Sequence, residues 1–401
     1  MRGRVTEIFL VFLRLGCTSF GGPVAHLGYF RAELVVKRCW LSEATFADFV
    51  ALCQFMPGPA SSQVGMSIGL LRGGPVGMLA AWLGFTLPSA IAMTLLTYGV
   101  GVMGDLSQAG WLRGLKLVAV AIVVQAVWGM ARNLAPDRAR ASLAVAACLV
   151  CLGVPSSAGQ VGAIVLGGLV GLTLLPREAA RAEPPAALNV RIPTALAGLL
   201  LSAFFGLLLG LPWLAQASGR HSLQLVDAFY RAGSLVFGGG HVVLPLLQSA
   251  VVTPGWVSQD VFLAGYGATQ AMPGPIFTFA AFLGAVETIP PNGWVGAVVA
   301  TVSIFFSSFL LVGGLLPFWE TLRHRAGVRA ALRGVNAAVV GVLLAALFNP
   351  IWVGAVHSSA DFGLGLLAFL LLTLWAAPPW LVVLLGAVAG EALGTVGLLA
   401  R

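Results

Sequence analysis

Charge is what this chain has least of. Of its 401 residues 9% are Asp, Glu, Lys or Arg, 59% are hydrophobic, and the mean hydropathy is +0.96. A soluble domain carries roughly 25% charged residues, so a soluble fold is excluded. Acids are scarcer than bases, 14 against 22. No acidic motif repeats, which argues against an enzyme built on clustered carboxylates, such as one acting on a lipid phosphate. His26 and His241 lack His, Cys or Asp neighbours at metal-ligand spacing, so neither a metal nor any other cofactor is expected. The five cysteines, Cys17, Cys39, Cys53, Cys148 and Cys151, imply no disulfide framework. Cys148 and Cys151 form a C-x-x-C in an apolar helix without a nearby Lys, His or second pair, and read as small packing residues. The net charge of +8 comes mostly from arginines in loops. It reports topology; without a basic stripe or an aromatic platform, no nucleic-acid partner is expected.

Long apolar runs are what the chain has in their place. They recur from end to end at membrane-spanning length, so the fold class expected is an all-α polytopic membrane protein. Arg2 and Arg4 precede the first run, as in a signal peptide, but Arg14 interrupts it and no small-residue cleavage site follows. That run is expected to be the first membrane element.

One phrase occurs twice. Ala51 to Pro59 reads Ala-Leu-Cys-Gln-Phe-Met-Pro-Gly-Pro, and Gly267 to Pro275 reads Gly-Ala-Thr-Gln-Ala-Met-Pro-Gly-Pro, 216 residues later (267 − 51). The match extends further. Phe12, Arg14, Gly16 and Phe20-Gly21-Gly22 answer Phe229, Arg231, Gly233 and Phe237-Gly238-Gly239; Trp40 and Ser42 answer Trp256 and Ser258; Arg113-Gly114 answers Arg333-Gly334. The expected units are 1–175 and 222–401. Between them, 176–221 holds a polar linker with Arg177, Glu178, Arg181, Glu183 and Arg191, expected in the cytoplasm, and an unpaired apolar segment, about Thr194 to Leu214.

One extra crossing inverts the second half. Loop charges agree: Arg132–Arg140 carries three Arg and its counterpart Asn349–Asp361 none, whereas Gly101–Leu112 has none and its counterpart Pro317–Leu332 carries Arg323, Arg325 and Arg329. The first elements of each half either cross as broken helices or turn back as hairpins. Loop Arg31–Arg38, with Arg31, Lys37 and Arg38, stays inside only if the chain turns back at Gly21-Gly22-Pro23, which favours re-entrant arms. An arm of about 15 residues, roughly 22 Å, reaches the midplane.

Helix breakers at matching places in two halves point to a transporter's binding site. Arg14 and Arg231 share a repeat position with no matching repeated acid. Because a buried Arg costs at least ~2.5–3.5 kcal/mol on insertion scales, an exogenous anion is the natural counter-charge, and the guanidinium fork suits an oxyanion. The competing reading is an arginine that snorkels to the interface or ties a broken helix. Gly21, Gly22, Gly238, Gly239, Gly58 and Gly274 free backbone N–H groups, and half-helices after Pro59 and Pro275 aim positive ends inward. Gln54 with Gln270, and Ser62 with Thr278, add neutral donors at equivalent positions. Ser61 and Gln63 are answered by Phe277 and Phe279, so one wall is expected to be wetter. Asp48, answered by Ala264, is a candidate proton site or internal partner for Arg14.

The duplicated Phe-x-Arg-x-Gly…Phe-Gly-Gly and Gln-x-Met-Pro-Gly-Pro resemble the chromate ion transporter family, in its long two-domain form, over almost the whole chain. The resemblance implies efflux of chromate from the bacterial cytoplasm by a secondary transporter in the inner membrane, conferring chromate resistance, with sulfate or another oxyanion as the alternative cargo. The partners implied are that oxyanion, membrane lipids and, in a homodimer, a second copy. One departure is Leu87-Pro88-Ser89 in the first half against Phe306-Ser307-Ser308 in the second, where a kink is expected to be lost. Nothing in the residues separates chromate from sulfate, or proton antiport from potential-driven exit.

Overall fold

The computed structural model describes residues 2–102, 109–176, 192–323 and 325–395. The linker charges from Arg177 to Arg191 lie outside the described residues. Every regular element among those described is helical. In the first half these are α1 (Arg2–Thr18), α2 (Gly22–Phe30) with a π turn over Arg31–Lys37, α3 (Glu43–Phe55), α4 (Ala60–Val102), α5 (Gly110–Leu134), α6 (Arg138–Gly153) and α7 (Ser157–Leu174). An unpaired α8 (Thr194–Ser218) follows. The second half holds α9 (His221–Ser234), α10 (Val243–Val251), α11 (Gln259–Thr269), α12 (Phe279–Val286), α13 (Gly293–Leu315), the short α14 (Trp319–Arg323), α15 (Ala326–Ala346), α16 (Ser359–Thr373) and α17 (Pro379–Thr395). The repeated Ser42 and Ser258 are N-caps, accepting from the N–H of Thr45 at 3.2 Å and of Val261 at 3.4 Å. α4 is two arms joined at Gly74, whose φ of 66° breaks the helix.

Six helices among the described residues are long and apolar enough to cross a membrane: Ala60–Gly99, Gly110–Leu134, Ser157–Leu174, Thr194–Ser218, Gly293–Phe318 and Ala326–Trp352. Exposed Leu199, Leu209 and Trp213 give α8 a lipid-facing surface, with α9 and α13 on its other side. The protein is a multi-pass membrane protein.

The short helices fold as arms. Glu7, near the start of α1, accepts from Arg38 at 3.4 Å and from Arg72 at 3.3 Å, and the Arg72 guanidinium lies 4.2 Å over the Trp40 ring. The chain therefore enters along α1, turns at Gly21-Gly22 and returns to Arg38; it enters again along α3, turns at Pro57-Gly58-Pro59 and returns to Arg72. Both hairpins open on one end of the molecule. The second half closes its arms with other residues. His221, at the start of α9, sits 3.1 Å from Glu287, just past α12, and its ring packs edge-on against Trp256 at 4.6 Å. Tyr98, far along the second arm of α4, stacks on Trp294 beside that cluster, whereas Pro75 begins the same arm beside Arg72. The two closures are thus separated by about 35 Å of helix.

Beyond the arms, the halves interlock. α5 packs on α16 and α17, and α15 packs on α6 and α7. Glycines make both crossings close: Gly114 meets the backbone of Gly386, and Gly334 meets that of Gly167. Small residues at such points let helix backbones touch in an apolar medium, where no hydrophobic drive pulls helices together. Cys148 belongs to this packing, buried on α6 against Gly341.

Candidate functional site: the crossed helix breaks

Each Pro-Gly-Pro break is hydrogen-bonded to the Gly-Gly break of the other half. The Gly58 N–H donates to the carbonyl of Val236 at 2.7 Å, and the Gly274 N–H donates to the carbonyl of Ser19 at 2.8 Å. Val236 and Ser19 immediately precede Phe237-Gly238 and Phe20-Gly21. The four breaks are therefore docked in two crossed pairs. Gly58 has φ 121° and Gly274 φ 92°, values that L side chains rarely adopt. A Cβ on Gly58 would lie 3.1 Å from the Ser308 hydroxyl, and one on Gly274 would lie 2.8 Å from the Ser89 hydroxyl. Ser89 and Ser308 are 219 residues apart (308 − 89), so the same hydroxyl faces the opposite break in each half. Sequence reasoning quoted both only as a departure; their shared repeat offset was the available signal.

The first-half wall is polar. Gln63, fully buried on α4, donates from Nε2 to the Pro57 carbonyl at 2.7 Å and to Ser308 at 3.3 Å. Buried His26 pairs through Nδ1 with the Ser61 hydroxyl at 3.2 Å. On the other side Phe277 packs on Phe305 and Phe279 on Phe262 and Tyr266. Among the described residues, the buried Oγ of Ser19, Ser62 and Ser307, Oγ1 of Thr86, Oε1 of Gln63 and Nε2 of Gln270 have no hydrogen-bond partner. Unsatisfied polar atoms in a protein interior call for a ligand or water.

Several expectations change here. Thr278 does not mirror Ser62: it sits in a 3-10 turn, Ile276–Thr278, and its hydroxyl is engaged by the Pro275 carbonyl at 2.8 Å. Gln54 is exposed, whereas Gln270 is half-buried. The arginines part company too. Arg14 is exposed on α1, and no ion pair to it occurs among the described residues, so Asp48, half-buried on α3, is not its partner. Arg231 is paired to Asp227 one helical turn earlier on α9. The absence of a repeated acid hid this local counter-charge, since position 227 is answered by Leu10. Gly21 and Gly238 are exposed and Gly22 and Gly239 half-buried. The Pro88 kink position has no proline equivalent in α13, which runs unbroken from Gly293 to Leu315.

Arg231 and Asp227 line a cavity of about 460 Å³ with Gln224, Ser249, Thr253 and Trp256. No residue of either Pro-Gly-Pro break lines it. The breaks are thus closed on each other, and the open space lies to one side, against α9. The Arg231 guanidinium is half-exposed to that space and held by the Asp227 carboxylate. Among the described residues no group of three His, Cys, Asp or Glu could hold a metal ion.

The chain is 29% identical to a chromate transport protein of Pseudomonas aeruginosa over 84% of its length and 79% of that protein's. It is 26% identical to a chromate transport protein of Cupriavidus metallidurans, covering 92% and 87%, and 27% identical to an uncharacterized transporter of Methanocaldococcus jannaschii, covering 84% and 82%. No solved structure matches it. The chromate transporter family matches residues 6–172 and 223–391, one segment in each half, and the protein belongs to that family.

Proposed function

We propose that the protein is a secondary transporter that exports chromate across a bacterial inner membrane and so confers chromate resistance. The halves act as inverted repeats, 1–175 and 222–401, joined by the cytoplasmic linker and α8. The observation that supports this best is the reciprocal bonding of Gly58 to Val236 and Gly274 to Ser19. Inverted repeats place their broken helices around one pseudo-two-fold axis, where substrate is held near the midplane. Bonds crossing between halves are those that rocking of one half against the other makes and breaks. The cargo meets backbone N–H groups, the hydroxyls of Ser62, Ser89 and Ser308, and Gln270 at the breaks, with Arg231 as the charge that admits it. Asp48 remains the candidate proton site of the first half. A potential of 100 mV, negative inside, favours exit of a dianion by about 4.6 kcal/mol, enough to drive export without a second ion. The apolar polytopic fold with no repeated acid supports transport over catalysis.

The test is flux from proteoliposomes loaded with chromate. Efflux that depends on the protein, accelerates with an interior-negative potential and is competed by sulfate is the expected result. Protein-dependent sulfate flux without chromate flux would assign another cargo to the same fold. Absence of flux for both dianions would refute the reading.

A further inference from the structure

The two closures of the hairpin arms are equivalent in place and opposite in chemistry. Gly69 packs on Gly77 in the first half as Gly284 packs on Gly296 in the second, which aligns Arg72 with Glu287, three residues past the first glycine of each pair. Trp40 answers Trp256, and each carries a cation or an imidazole on its ring. Where the first half holds Glu7 and Glu33 with Arg38 and Arg72, the second, among the described residues, holds His221 and Glu287.

We infer that the His221–Glu287 pair is a proton-binding site that latches the second-half hairpins and controls access to the Arg231 cavity. The Glu287 side chain is 1% exposed and that of His221 13%, with 3.1 Å between Nε2 and Oε1. Despite that approach, neither carboxyl oxygen of Glu287 nor Nε2 of His221 is in a hydrogen bond among the described residues, and all three atoms are buried. A carboxylate so placed lacks compensation, and burial pushes the Glu287 carboxyl up to about 8. The other charged or titratable groups on the surrounding elements are Arg220, exposed beside His221; Tyr98 at the end of α4; and Asp260 at the start of α11, already paired with Lys116 at 2.7 Å. The turn at 252–257, α12 and the first turn of α13 contribute none. Protonation of this carboxyl therefore sets the state of the latch. Trp256 connects the latch to the anion: it lies under His221 and also lines the cavity that holds Arg231. His221 and Arg231 are on the same helix, so release of the outer end of α9 moves the arginine.

The sign follows from the raised pKa. The proton is held below about 8 and lost above it, leaving a buried carboxylate and the arms apart. The proposal builds on the transport reading, but its first readout needs no cargo. Infrared spectra of the full-length protein without anion, recorded across pH, should show a protonated carboxyl signal that disappears near pH 8 and is missing in Glu287→Gln. In proteoliposomes with equal pH on both sides, wild-type flux should change about tenfold between about pH 7 and about pH 9, since each pH unit past the pKa is a tenfold change in protonation. Glu287→Gln should be flat over that range. If that variant fails to accumulate, His221→Arg, which copies the fixed charge of the first half, should also abolish the dependence. A carboxyl titrating in the ordinary acidic range, or a wild-type pH profile in either variant, would overturn the proposal.

Discussion

Arg113 and Asp361 stand 248 residues apart and make the best-satisfied buried ion pair described in the protein. The Asp361 side chain is fully buried, takes the Arg113 fork at 2.9 and 2.6 Å, and accepts the His357 N–H at 3.0 Å. Removing one partner of such a pair leaves the other charge buried, at a cost of about 3–5 kcal/mol. Arg113→Ala should therefore unfold markedly earlier than wild type in detergent, and adding Asp361→Ala should restore much of the loss. An unchanged Arg113→Ala midpoint would show the pair to be dispensable. In the sequence Arg113 was visible only as a repeat marker, because nothing local names a partner so distant. Arg231 gives the opposite lesson: its partner, Asp227, was four residues away, but the search for repeated acids passed over it. Asp227→Asn removes the carboxylate that competes for the guanidinium and should tighten chromate binding several-fold, measured by competition against flux. Arg231→Ala should abolish flux, and a Lys there should restore it incompletely, since an ammonium lacks the fork. Arg14→Ala should be milder, because Arg14 is exposed without an ion pair among the described residues.

At the scale of elements, what the sequence made legible was the breaks. Gly and Pro interrupt apolar runs in any context, and matching interruptions in two halves marked the arms and their turning points. Ser42 and Ser258 were legible for the same reason, as caps with local chemistry. The docking of each break was not legible, because the Gly58–Val236 and Gly274–Ser19 bonds join backbone atoms of distant segments. A valine at position 58 or 274 strains a backbone at positive φ and drives the break away from Ser308 or Ser89. Both variants should reach the membrane and lose flux, and normal flux in both would contradict the central docking. The interlocking crossings offer a second test. Gly334→Leu places a side chain against the Gly167 backbone and should separate α15 from α7, seen as loss of folded protein. A conservative change at half-buried Gly129, with open space where a Cβ would go, should be neutral.

At the scale of the whole molecule, two like hairpin pairs open on opposite ends of a 35 Å arm, each break closed by the other half. Loop arginines raise the expectation of inverted halves in the sequence, since charge asymmetry between equivalent loops is set by insertion and not by packing. The chemical difference between the two closures was illegible, for it emerges only when Glu7, Arg38 and Arg72, or His221 and Glu287, are brought together. If the ends face opposite sides of the membrane, the protein meets two solutions with the same device, one built on arginines and one on a buried carboxyl beside an imidazole. Two-sided labelling tests this most directly. Val35 is buried, so its neighbour Val36, which is 60% exposed, is the position to use, together with exposed Thr253. In a chain freed of its five cysteines, Val36→Cys should react with an impermeant reagent only from the cytoplasm and Thr253→Cys only from outside; reaction of both from one side would contradict the account.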